Sequence, residues 1–156
     1  MPISKAITVA AAIMLLSVLA PAQDQEKKIK RSDLPPAVEK AVVEQSQGAT
    51  IRGFSQENEN GQTFYEAELM VKGHSKDILL DVDGAVVEVE EQVSTGSLPA
   101  VVLQSLRDKA GSGKLVKVEK LTKKDKLVAY EAKVLTHGKK SEVQVGPDGK
   151  ALDHEE

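Results

Sequence analysis

The chain contains no cysteine and no tryptophan, and only 3% of its 156 residues are aromatic. Without cysteine there is no disulfide to staple a small fold and no thiol to carry a lipid anchor. With Phe54, Phe64, Tyr65 and Tyr130 as the whole aromatic complement, Val, Leu, Ile and Ala must fill the interior. Such a core is modest, and small units built from it gain by joining, because each alone buries too little apolar surface to offset chain entropy. Histidine is nearly absent too, with only His74, His137 and His154. The first two sit beside turn glycines in separate parts of the chain, so no His-based metal centre is expected.

Long apolar runs are also lacking after the N-terminus. Lys5 followed by the apolar stretch Ala6–Leu19 and then Ala20-Pro21-Ala22 reads as a cleavable secretory signal over residues 1–22. The run is too short to cross a bilayer comfortably, so no membrane span is expected once the signal is removed. Residues 23–33, QDQEKKIKRSD, are polar and without period, and are expected to form a flexible charged leader.

What the sequence does have is a repeated stretch. YEAELMVKG begins at Tyr65, and YEAKVLTHG begins at Tyr130. Leu34-Pro35 matches Leu98-Pro99, Gly48 matches Gly113, Gly73 matches Gly138, and Asp83-Gly84 matches Asp148-Gly149, all at an offset of 64 or 65. That regularity points to a duplicated unit, residues 34–91 and 98–156, joined by a linker at 92–97.

Each unit opens on a helix signature. SDLPPAVEKAVVEQSQG offers Ser32 or Asp33 as cap, prolines in the first turn, and Val38, Ala41, Val42 and Gln45 on one stripe. The second unit offers Ser97 as cap, then Pro99, with Val102, Leu106 and Ala110 along one face. Runs of β-formers follow, separated by ENENG, KGH and DG turns. Tyr65, Ala67, Leu69 and Val71 share one strand face with Tyr130, Ala132 and Val134 as counterparts, and Ile78, Leu80, Val143 and Val145 join them. The expected fold class is therefore α+β: two repeats of one helix packed on a roughly four-stranded antiparallel sheet, the other sheet face open to water.

The Leu-Pro helix start, the Gly-ended helix, the Tyr-Glu-Ala strand, the Gly turn and the Asp-Gly turn before a Val-rich strand resemble the PepSY domain, here in tandem. The paired arrangement also resembles the β-lactamase inhibitory protein type of PepSY-like fold. The resemblance implies a secreted or cell-envelope module without catalysis, of the kind found in propeptides of thermolysin-like metallopeptidases, where it restrains peptidases. No H-E-x-x-H segment is present in this chain, so an inhibitor here acts in trans.

The partner expected from this reading is an unidentified exported protein, such as a peptidase or other hydrolase. The expected partner-binding residues are Phe54, Phe64, Glu66, Glu68, Met70 and Leu79, pointing outward among Asp77, Glu88 and Glu90 as apolar groups rimmed by charge. The alternatives are packing of Phe64, Met70 and Leu79 against one another, a peptide or envelope-component sensor without inhibitory role, and a structural factor with no tight ligand. Charge is asymmetric: 34–97 carries 4 Lys or Arg against 12 Asp or Glu, net -8, while 98–156 carries 12 against 9, net +3. An acidic chain without aromatic interleaving is not expected to bind nucleic acid. Nor is an enzyme expected, for no nucleophile elbow or catalytic carboxylate pair stands out. No cofactor or metal is expected either: DVDG at Asp81–Gly84 lacks a third acidic ligand, and the matching GPDG supports a hairpin turn.

Overall fold

The computed structural model describes residues 26–59, 61–154 and 156; the expected signal lies outside the described residues. Along the chain come β1 (Lys27–Ile29), a 3-10 turn (Arg31–Asp33), α1 (Pro36–Gln45), β2 (Thr50–Glu59), β3 (Gln62–Val71), β4 (His74–Asp81) and β5 (Val86–Gln92). After a second 3-10 turn (Thr95–Ser97) follow α2 (Ala100–Ala110), β6 (Lys114–Lys123), β7 (Lys126–Thr136) and β8 (Lys139–Val145).

These strands form one eight-stranded antiparallel sheet in the order β1 to β8. The expectation of two repeats, each a helix on a four-stranded sheet, is therefore corrected. β5 and β6 pair directly, from Glu88 opposite Lys123 to Gln92 opposite Glu119, so the open edge of one half is satisfied by the first strand of the other. The division is also unequal, because β1 joins β2 through Lys27–Gln56, Lys28–Ser55 and Ile29–Phe54. Residues 27–33 thus form an edge strand and a turn where a flexible leader was expected, and Ile29 packs against the α1 core.

The helix starts are corrected as well. Pro36 opens α1 in the first turn as expected, but Pro35 and Pro99 occupy the N-cap positions, without side-chain caps. Leu34 and Leu98 are extended, as steric clash with a following proline dictates. The expected cap residues serve the preceding turns instead: Asp33 Oδ2 accepts from Lys30 N at 3.0 Å, and Ser97 Oγ donates to Ser94 O at 2.7 Å.

Both helices lie on the same face. Val38 and Val42 of α1 pack with Ala67, Leu69, Ile78 and Leu80, and Val102 and Leu106 of α2 pack with Val118, Ala132 and Val145. Val89 of β5 joins the first cluster and Val93 the second, so the register carries one buried face through the β5–β6 junction. Two glycines seat the helices. A Cβ on Gly84 would stand 2.5 Å from the Ala37 carbonyl oxygen, and one on Gly149 2.9 Å from that of Val101; both glycines also hold positive φ, 82° and 78°.

Candidate functional site

The face opposite the helices is lined by side chains whose spacing follows from strand register. Ser55, Glu66, Leu79, Glu88 and Lys123 stand in one row across β2 to β6, and Glu68, Asp77 and Glu90 form the next. A third row runs from Gln92 through Glu119 and Glu131 to Gln144. Directly opposed like charges destabilise a sheet, and folding alone does not explain such a dense set of carboxylates.

The first two rows, together with Glu57 and Glu156, line an open depression of about 260 Å³, where Glu57, Glu66, Asp77, Glu88 and Glu90 surround Leu79, with Lys123 on the rim. A larger, more apolar depression of about 620 Å³ adjoins it, containing Phe64, Val82 and Val87 and sharing Leu79. Burial, reinforced by neighbouring carboxylates, pushes Glu90 up to about 8, Glu57 up to about 7 and Asp77 up to about 6. For Asp77 the cation Lys117 works in the opposite sense. Glu88 is raised by burial against the pull of Lys123, and Glu131 by burial against the hydrogen bond donated by Gln144 Nε2 at 2.9 Å.

Some carboxylates already have ion-pair or hydrogen-bond partners. Glu68 is paired with Lys28, which also holds Glu26 at 2.8 Å. Ser55 Oγ donates to Glu66 at 2.6 Å. Glu91, on the helix side, is held by Lys120 at 2.5 Å and Lys76 at 3.5 Å, which keeps it below the usual carboxylate range. Glu119 is the most enclosed, 1% exposed: its Oε1 contacts Lys117 Nζ at 2.5 Å and accepts from Ser75 Oγ at 3.3 Å.

Of the six residues expected to bind a partner, the structure brings Phe64, Glu66 and Leu79 together at the two depressions. Glu68 stands beside them but is committed to Lys28. Met70, half-buried near the far end of β3, lines neither depression. Phe54 is not outward at all: it is 7% exposed in the α1 core. A bulge between Ile51 and Gly53 inserts a residue, so Ile51 and Phe54, three apart, face the same way and strict alternation fails. Sequence reading missed Glu119, which alternation within VEKL places on the open face of β6 but which nothing local marks as buried.

No family model matches the chain, and no curated protein matches it. Solved structures do. A protein from Bacteroides eggerthii described as periplasmic superposes with a TM-score of 0.62 at 16% identity, covering 76% of this chain and 86% of its own. A DUF2874 family protein from Bacteroides ovatus gives 0.59 at 18%, over 77% and 85%. A BLIP-like protein from Bacteroides fragilis gives 0.53 at 21%, over 74% and 81%. The chain has a BLIP-like fold. At these identities the likeness is one of fold, and the surface residues must be read from this chain itself.

Proposed function

We propose that this protein is an exported, non-catalytic binding module whose open acidic face receives a positively charged, partly apolar segment of a partner protein. One observation carries the reading: carboxylates from β2 to β5 crowd around Leu79 and, through it, Phe64. A lysine or arginine presented there relieves like-charge repulsion, and an apolar neighbour on the same segment covers exposed apolar surface. The signal expected at residues 1–22 and the periplasmic description of a neighbour with the same fold support a periplasmic location. The fold shared with a BLIP-like protein supports a modulator, with an exported hydrolase such as a peptidase as the partner whose access is blocked.

A second reading has its own observation. Among the described residues β8 pairs only with β7, so its outer edge offers backbone groups for strand addition by an extended peptide. Fluorescence anisotropy with labelled peptides separates the two. Acidic-face binding predicts that peptides pairing Arg or Lys with Leu bind, that their Glu counterparts do not, and that high salt weakens the complex. Equal binding of both sets, abolished by backbone N-methylation, overturns it in favour of edge pairing.

A further inference from the structure

We propose that Asp77, Glu90 and Glu119 form a binding site for a hard divalent cation, with calcium as the best fit. One ligand oxygen from each of the three lies within 4.8 Å of the others. Oxygens bound to a common calcium at about 2.3–2.6 Å can stand no further apart than about twice that distance, a limit this trio meets; calcium also tolerates an irregular ligand set, whereas magnesium demands a near-octahedral one. The donors are all carboxylate oxygens, which suit hard cations and not thiophilic metals.

The second observation comes from the buried member. Glu119 is 1% exposed, and its Oε2 has no hydrogen-bond partner among the described residues. Lys133 Nζ stands 3.9 Å from that oxygen, beyond hydrogen-bond distance, and is closer to Glu142 Oε1 at 3.4 Å. An oxygen so placed has lost its hydration without replacement, a cost that structures ordinarily avoid. Lys117 and Ser75 fix the other oxygen, which orients Oε2 as outer partners orient a metal ligand. Register does the rest: Asp77 lies directly opposite Glu90, and Glu119 lies opposite Gln92, two residues further along β5. The second carboxylate trio, Glu26, Glu66 and Glu68, has no buried member, and Lys28 bridges two of its three carboxylates, whereas the lysines beside the first trio form their ion pairs within it with Glu119 alone.

This site does not depend on the partner reading, and its test uses no partner. The full chain, stripped with a chelator, is titrated with calcium chloride by calorimetry and followed by thermal unfolding. The expected result is one calcium per chain with a Kd of about 10⁻⁵ to 10⁻³ M, a raised Tm, and weaker binding of magnesium. Glu119→Gln lowers affinity at least about tenfold, while Glu59→Gln, on the wall of the same depression, leaves it unchanged. Should Glu119→Gln not fold, Asp77→Asn makes the same comparison. Absence of binding, or equal losses in Glu59→Gln and the site variants, contradicts a defined site.

Discussion

Asp77 on β4 faces Glu90 on β5 across a directly paired register position, and both carboxyls are pushed upward, to about 6 and about 8. A carboxyl raised in the folded state binds its proton more tightly there than in the unfolded chain. Its stabilising contribution is full below the unfolded value and is lost as pH rises through the folded one. In metal-free buffer, Tm is therefore expected to fall as pH rises from about 5 to about 8, with Glu57 contributing in the same window. Glu90→Gln removes the carboxyl that burial raises furthest of the three: the substitution stabilises by about 1–3 kcal/mol at the alkaline end and flattens the slope. A profile that rises over this window contradicts the assignment.

The single sheet makes a separate prediction. Because β5 and β6 are paired from Glu88 to Gln92, the two helix-bearing halves should unfold as one unit. Val38→Ala and Leu106→Ala, one in each cluster and both fully buried, should each lower the same calorimetric transition, Leu106→Ala by about 2–5 kcal/mol. Two transitions, each moved by only one of the variants, would mean that the halves fold separately.

The seating glycines can be tested against a neutral site. Gly84→Ala places a methyl against the Ala37 carbonyl in addition to a positive φ, whereas Gly61→Ala meets nothing within 4 Å at a similar φ. Gly84→Ala is expected to cost about 2–4 kcal/mol and Gly61→Ala about 1–2 kcal/mol. Denaturant midpoints at constant slope give the comparison.

Most of the inner face was legible before the structure. Ala67, Leu69, Ile78, Leu80, Ala132 and Val145 obey period two, and Val38, Val42, Val102 and Leu106 obey the helical period. Pairing was not legible at the places where it decides the architecture. Alternation says which way Val89 points, but not that β5 borders β6, because the same β-formers pair equally well with any edge that the connection can reach. Ile29 lies in a run of charges, so its strand shows only through its partner Phe54. Phe54 was misplaced because the bulge between Ile51 and Gly53 changes phase, and the isolated glycine of RGF is its one weak mark in the sequence. In the site, Glu66 and Leu79 follow from alternation alone, but the Asp77, Glu90 and Glu119 cluster needs the junction between halves, and local patterns are blind to it.

The most direct test of the acidic face is peptide anisotropy repeated on two charge-reversed variants, Glu57→Lys on the open face and Lys40→Glu on α1. Both residues lie outside the buried clusters, and one variant makes the chain less acidic while the other makes it more so. If the open face receives a cationic segment, Glu57→Lys weakens binding of the Arg- or Lys-containing peptide at least about tenfold and Lys40→Glu leaves it nearly unchanged. If affinity instead follows the overall charge of the chain, so that the two variants shift it by similar amounts in opposite directions, the open face is not the binding surface.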